Sequence, residues 1–328
     1  MIQQLRICKS TTFDPHYNLA LEKWLMDTVA PNTCILYLWQ NQNTVVIGRN
    51  QNAWVECRTG LLEEEGGHLA RRLSGGGAVF HDLGNLNFTF LVNEEDYDLD
   101  RQLSVIQKAC EIAGIQAEKS GRNDVLANGR KFSGNAFYHS EGKAYHHGTL
   151  LIDADMEKMQ RYLSPSKAKL EAKGVSSVRS RVVNLQELSP ALDCQIMQAY
   201  MVEAFEKVYG SKCEEIVLTE DDHLAIAELA KEYGSWEYLY GAPLPFTFEC
   251  GDRFDWGSVQ IQLDAKSGVV TGAKVYSDGM DWAMPGAIES ALVGCRFNKG
   301  DMKDALVGGI NDPLVLADLC LLVDKQDI

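Results

Sequence analysis

Three consecutive glycines, Gly75-Gly76-Gly77, stand behind Arg71-Arg72-Leu73-Ser74 and ahead of Ala78-Val79-Phe80-His81. Such a run is poor packing material, because glycine loses more backbone freedom on ordering than any other residue and contributes no side chain. The stretch therefore reads as a loop. Glycines let the backbone approach a ligand closely and present successive N–H groups to oxygen, while the arginines add positive charge that does not titrate near neutral pH. That is the chemistry of a phosphate cradle. A tight hairpin leading into the strand Phe88-Thr89-Phe90-Leu91-Val92 is the simpler alternative.

With 328 residues the chain is too long for one ordinary core, and two domains are expected. A net charge of -15 argues against a general nucleic-acid binder, which needs clustered Lys and Arg on an exposed face. Between Gly121 and Leu185, however, 11 Lys and Arg stand against 6 Asp and Glu, a local excess suited to an anion site. The nine cysteines, scattered from Cys8 to Cys320 without a C-x-x-C pair, read as reduced thiols of a cytoplasmic protein. Met1 to Tyr17 carries no apolar run of the signal-peptide kind, and Leu314 to Val323 is interrupted by Asp318 and too short to span a bilayer. No membrane association is expected.

Apolar spacing predicts a first helix from Pro15, carrying Leu19, Leu21, Trp24, Leu25 and Val29. Ile35–Trp39 and Val45–Gly48 read as strands joined in hairpin fashion by Gln40-Asn41-Gln42-Asn43. Leu86, Phe88, Phe90 and Val92 alternate with more polar neighbours, as in a strand with one buried face. Further helices are expected from about Asp100 to a cap at Gly114, and around Ile196, Tyr200, Ala204 and Val208, closed by Gly210. Between them lie a strand from Ala144 to Ile152, a lysine-rich helix opening at Ser164-Pro165, and a mobile loop from Val175 to Arg181. The proline-containing connection Gly241-Ala242-Pro243-Leu244-Pro245 marks a boundary between residues 1–243 and 244–328. The second part, with a hairpin around Asp264–Gly268 and short helices after Pro285, reads as a small α+β domain.

Polar residues that packing does not explain gather in four segments: the glycine loop, Ser120–Asp124, Gly129–Gly134 and His146-His147-Gly148. Together they suggest one composite site. Lys131, between Arg130 and Ser133-Gly134, has the charge to neutralise a carboxylate and an α-phosphate at once and bring them within reach; an ordinary hairpin lysine fits the segment equally well. Asp124 is placed to orient that lysine or to help hold Mg²⁺, whose hard character selects carboxylate and phosphate oxygens, although Asn-Asp is also a common turn pair. His81, His146 and His147 lack the spacing of a zinc site and read as structural or substrate-lining. The basic residues from Lys173 to Arg181 suit a loop closing over an anionic intermediate, or a solvated surface.

In order, Arg72–Asn85, Gly121-Arg122-Asn123-Asp124, Arg130-Lys131 with Ser133-Gly134, His146–Leu151, and Ala172-Lys173-Gly174 with Ser177–Val182 closely resemble the lipoate–protein ligase A family, and the likeness runs from the first helix into the C-terminal domain. The resemblance implies an α/β (α+β) fold: a biotin/lipoate ligase-like catalytic domain with a mixed, largely antiparallel sheet, plus the small α+β domain. It implies an ATP-dependent, AMP-forming ligase that makes lipoyl-adenylate and passes the lipoyl group to a lysine of a lipoyl domain, with ATP and Mg²⁺ as cofactors. The acceptors implied are the lipoyl domains of 2-oxoacid dehydrogenase acyltransferase subunits, the glycine-cleavage H protein, or both.

Carried over by motif position, Lys131 and Asp124 are catalytic, with Asp124 also the candidate metal ligand. Arg72, Gly77, Ala78, Val79, Phe80 and Lys131 contact the nucleotide. Ser74, Gly75, Gly76, His81, His147 and Lys131 serve lipoate, Asn123 is a further site position, and Lys173, Val178, Arg179 and Arg181 belong to the loop over the adenylate. The dithiolane tail is expected along the strand from Leu86 to Phe90. Leu73 departs from the basic or polar residue expected before Ser74, with the arginine and glycines intact. A related acyltransferase working through a cysteine thioester is disfavoured, since no cysteine occurs between Cys110 and Cys194. A non-catalytic binder or a biotin-ligase-like repressor fits less well, because Lys131 and the glycines are present and no N-terminal helix-turn-helix is apparent.

Overall fold

The computed structural model describes residues 2–121, 123–163, 182–240, 248–266 and 268–326. The expected lysine-rich helix at 164 and the loop residues Lys173, Val178, Arg179 and Arg181 lie outside this set, as do Arg122 and the proline-containing connection.

The described chain divides into two compact units, one of residues 1–46, 57–71 and 79–239, the other of 47–56, 72–78 and 240–328. The glycine loop thus groups with the C-terminal segment. The strands are β1 (Gln4–Lys9), β2 (Thr33–Trp39), β3 (Thr44–Ile47), β4 (His68–Arg71), β5 (Val79–His81), β6 (Asn85–Asn93), β7 (Glu118–Ser120), β8 (Asp124–Ala127), β9 (Arg130–Ser140), β10 (Lys143–Leu151), β11 (Cys213–Glu215), β12 (Phe248–Phe254), β13 (Gly257–Lys266) and β14 (Val269–Ser277).

An eight-stranded sheet in the order β11-β1-β2-β6-β10-β9-β8-β7 carries the larger unit. β1 runs parallel to β11 and β2, and every other neighbouring pair is antiparallel, as the resemblance implied. The predicted hairpin between β2 and β3 does not form. β2 already has a partner on each edge, β1 and β6, so β3 pairs instead with β4 and β5 in a separate three-stranded sheet.

The helices Leu99–Ile112 and Cys194–Tyr209 cover one face of the large sheet, where Leu36, Phe88, Phe90, Ile106, Met201 and Phe205 form the core. The first helix, Pro15–Thr28, packs on β2, β6 and β10. Its start is fixed by Asp14, whose carboxylate accepts from the backbone N–H groups of His16 and Tyr17, with Pro15 at the first turn. Consequently β6 is buried on both faces rather than one. Its alternation separates an apolar face, Leu86, Phe88 and Phe90, from a polar face, Asn85, Asn87 and Thr89, that is equally inaccessible.

In the second unit β12, β13 and β14 make an antiparallel sheet. The helices Met284–Leu292, Lys299–Gly309 and Pro313–Asp324 share a core with it that includes Ile261, Leu263, Ile288, Leu306 and Leu319. This is the α+β architecture expected of the C-terminal part. Among the described residues no helix is long and apolar enough to cross a membrane.

Candidate active site

Asp124 and Lys131 are brought together by a tight hairpin. Asn128 and Gly129, at φ 50° and 71°, join β8 to β9 with the left-handed conformations that a two-residue turn of this hand requires. A β-bulge then shifts the register, so that Val125 faces Ser133 but Leu126 faces Lys131. By simple alternation Lys131 and Gly134 would point to opposite faces; the extra residue, Phe132, goes into the core and turns Lys131 to the face of Gly134. The lysine lies across the glycine, where a Cβ on Gly134 would stand 3.1 Å from Nζ. Thr149 is also on this face, its Oγ1 accepting from the Gly134 N–H at 3.3 Å. Nζ meets Asp124 Oδ1 at 2.6 Å, with both side chains just over a third exposed. Arg130, by contrast, is engaged with Glu187 at 3.2 Å. The chain returns beyond residue 181 onto the same lysine, the Val183 N–H donating to its carbonyl at 2.9 Å.

The sheet carries this face onward. Thr149 is opposite Asn87, which is opposite Trp39, and His147 is opposite Thr89, which is opposite Tyr37. His147 Nδ1 lies 2.8 Å from Glu22 of the first helix, with side-chain exposures of 8% and 2%. Thr89 Oγ1 donates to the same carboxylate at 2.7 Å and accepts from the Trp39 indole N–H at 3.2 Å. The Trp39 ring stacks on Tyr37 and stands edge-on to His81, whose Nδ1 contacts the Asn41 amide. Asn87 Nδ2, Asn85 Oδ1 and the Tyr145 hydroxyl are buried on this face without a hydrogen-bond partner among the described residues. Of the strand from Leu86 to Phe90, Leu86, Phe88 and Phe90 fill the core on the reverse face, and Asn87 and Thr89 lie on this one.

Histidines 146 and 147 play opposite parts, because adjacent strand residues face opposite ways. His147 joins Glu22, and His146 is buried among Phe88, Phe90 and Phe137. Asp82-Leu83-Gly84-Asn85 is a turn, with Asp82 accepting from the N–H groups of Gly84 and Asp155.

The glycine loop is built within the second unit. Arg72, 7% exposed, donates to Ser74 Oγ and to the carbonyls of Gly75 and Gly77, so its guanidinium braces the loop. The Arg49 N–H donates to the Ser74 carbonyl at 3.0 Å. Gly76 has φ 93°, and its N–H donates to the carbonyl of Gly279 at 3.0 Å. A Cβ on Gly75 would stand 2.5 Å from that same oxygen. Ala78 ends the loop, and Val79 and Phe80 belong to β5, with Phe80 buried.

Glu22, Trp39, Thr89 and Asn87 escaped the sequence reading. Glu22 had a signal: it falls three residues after Leu19 and three before Leu25, a carboxylate within an apolar helical stripe. Among the described residues no group of three or more His, Cys, Asp and Glu side chains could hold a metal ion. All nine thiols have pKa values pushed up, chiefly by burial, with Cys8, Cys34, Cys57, Cys110 and Cys194 at about 12.

Residues 14–206 match the lipoyl protein ligase A/B catalytic domain, and residues 244–311 match the bacterial lipoate protein ligase C-terminus. The chain belongs to the lipoate–protein ligase A family. It is 42% identical over 302 residues to lipoate-protein ligase A of Blochmanniella pennsylvanica, covering 90% of this chain and 89% of the relative. Identity to the Psychrobacter cryohalolentis ligase is 40% over 308 residues, covering 92% and 91%. Among solved structures, LipL1 of P. falciparum in complex with lipoate aligns at a TM-score of 0.84 with 25% identity, covering 98% of this chain and 99% of that one. A lipoate-protein ligase A bound with ATP shares the fold at a TM-score of 0.64 and 23% identity, covering 74% and 99%. In this lipoate–protein ligase Lys131 sits at the bulge of the β8–β9 hairpin, and the glycine loop is braced by Arg72.

Proposed function

We propose that the chain is an ATP-dependent lipoate–protein ligase whose adenylating lysine is Lys131. A lipoate carboxylate oxygen attacks the α-phosphorus of ATP, the bond to pyrophosphate breaks, and lipoyl-adenylate forms. An unprotonated lysine amine of a lipoyl domain then attacks the activated carbonyl carbon, and AMP leaves. The observation that carries this reading is the Lys131 ammonium lying across Gly134 on a face that continues into a buried Asn85–Asn87 pair, in which Asn85 Oδ1 and Asn87 Nδ2 have no hydrogen-bond partner among the described residues. Unpartnered buried polar atoms are costly and suit a site completed by a ligand. Its positive charge would neutralise the carboxylate and phosphate in the first step and steady the departing phosphate in the second.

On the same reading, Trp39, Thr89, His81 and His147 line the acyl chain, with Ser74, Gly75 and Gly76 serving lipoate from the loop. Arg72, Gly77, Ala78, Val79 and Phe80 serve the nucleotide, and Lys173, Val178, Arg179 and Arg181 cover the adenylate. Residues 1–243 would be the catalytic part and 244–328 the accessory part. Mg²⁺ is expected to come with the nucleotide: among the described site residues Asp124 is the carboxylate that would help hold it, a hard cation choosing carboxylate and phosphate oxygens. The ion would supply charge neutralisation on the phosphates.

A lipoyl domain as acceptor is supported by an archaeal two-part lipoate protein ligase, from Thermoplasma acidophilum, solved in a study that includes its E2 lipoyl domain. Transfer through a cysteine thioester is disfavoured, because every thiol is held in its protonated, poorly nucleophilic form. The test is mass spectrometry of lipoyl domains from acyltransferase subunits and of H protein after incubation with lipoate, MgATP and the full chain. A lipoyl mass increment on an acceptor lysine, dependent on ATP, is expected. No increment on any acceptor, together with no lipoate-dependent ATP–pyrophosphate exchange, would overturn the reading.

A further inference from the structure

Behind Asp124 runs a line of buried polar contacts that the two half-reactions do not use. Asn135 of β9 is 5% exposed and lies opposite Gly148 of β10. Its backbone N–H, at 2.8 Å, and its side-chain Nδ2, at 3.0 Å, both donate to the carbonyl oxygen of Asn123. That oxygen belongs to the peptide group whose nitrogen is Asp124's own, so the two bonds fix the plane from which the Asp124 side chain departs.

Asn135 Oδ1 is in turn 2.7 Å from His146 Nε2. Burial, with smaller contributions from His147 and Lys119, lowers the His146 pKa to about 3, so the ring is neutral near pH 7 and has one N–H to give. Given to Asn135, that proton leaves Nδ1 as an acceptor, 3.2 Å from the Gln102 carboxamide. With the Gln102 amide oriented so that its Nε2 donates, Nδ1 and that nitrogen, buried and otherwise without a partner among the described residues, satisfy each other. Gly148 makes the room, since a Cβ there would stand 2.9 Å from Asn135 Oδ1 and 2.7 Å from the Gly134 carbonyl.

We propose that Asn135, held by His146, is a positioning residue for adenylation: it sets the Asn123–Asp124 peptide plane and thereby the carboxylate that holds Lys131. This rests on Lys131 being the adenylating lysine. The ladder alone is a poor support here, because the bulge between Val125 and Leu126 interrupts it next to the site. The ion pair is no better, for side chains 36% and 37% exposed gain little from one another in water. Two donors on one carbonyl, anchored through a ring in the core, supply the order that both lack.

The experiment uses the full chain carrying Asn135→Ala, Asn135→Ser or His146→Gln, each alone and with Asp124→Ala. In Asn135→Ala the kcat of lipoate-dependent ATP–pyrophosphate exchange should fall on the order of 10- to 100-fold, with KM for ATP little changed. In the Asp124→Ala background the same substitution should cost nothing further. His146→Gln, which retains a donor for Oδ1, should stay near wild type, and crystals of Asn135→Ala should show the Asp124–Lys131 contact opened. If Asn135→Ala does not fold, Asn135→Ser takes its place in each comparison. Equal losses with and without Asp124, or an unaltered Asp124–Lys131 contact, would overturn the inference. A wild-type chain without exchange would count against the ligase reading instead, and the crystallographic contact would still decide the positioning role.

Discussion

Glu22 and His147 meet at 2.8 Å beneath the sheet, with almost none of either side chain in contact with water. A buried pair gains from mutual attraction what it loses in hydration, but an orphaned member keeps only the loss. His147→Leu should therefore destabilise the fold by about 3 to 5 kcal/mol, since among the described residues Glu22 would retain only Thr89 as a donor. Adding Glu22→Gln should recover much of that. Urea unfolding of the two single variants and the double variant checks it, and additive losses would contradict it.

Lys131 separates activity from stability. Its side chain is half-buried and its ion pair with Asp124 faces water, so Lys131→Ala should leave the urea midpoint close to wild type. Exchange of pyrophosphate into ATP should fall at least on the order of 100-fold, the cost of removing a group that stabilises developing charge. Retained exchange in a folded Lys131→Ala protein would refute the assignment.

Gly134→Ala tests the path of the lysine. The new methyl would come within 3.1 Å of Nζ and 3.2 Å of Cε, the far end of a flexible side chain that has room to shift. The expected result is a thermal midpoint near wild type and an exchange rate lower by about tenfold, the scale of a small misplacement at a reacting centre. Full activity would show that the lysine need not lie across this glycine.

His146 predicts an acid-sensitive fold. An unfolded chain takes up its proton near pH 6.5, whereas in the folded state burial holds the pKa down to about 3. Between those values the unfolded state binds more protons, so the contribution of this residue to stability is intact above about pH 6.5 and is lost as pH falls through the window. Unfolding free energy measured from pH 8 to pH 4 should decline less steeply in His146→Gln. An identical slope would exclude His146 as the cause.

What could be read from the sequence was what local chemistry determines. Pro15 announces the first helix, Gly210 closes a later one, and the ordered motifs name the family, because each signal sits within a few residues. The pairing of β2 and β3 was missed because a polar tetrapeptide between two strands looks the same whether the strands join or part. The competition is settled by β1 and β6, which are distant in sequence. Alternation along β6 was read as one buried face, yet both faces are covered: Leu86, Phe88 and Phe90 join the core on one side, and Asn87 and Thr89 lie beside Trp39 on the other. The bulge that turns Lys131 was also out of reach, since Lys-Phe-Ser-Gly has no residue that demands a register shift.

The raised thiol pKa values have a consequence beyond excluding a thioester. Lipoate carries a cyclic disulfide, and any thiolate close by is a nucleophile toward it, forming a mixed disulfide that would tether the substrate to the enzyme. A protein that handles this ring with nine reduced cysteines is safe from such self-capture only if each sulfur keeps its proton. Burial, the largest cause at each of the nine, raises every thiol pKa and so lowers the thiolate fraction that could attack the ring.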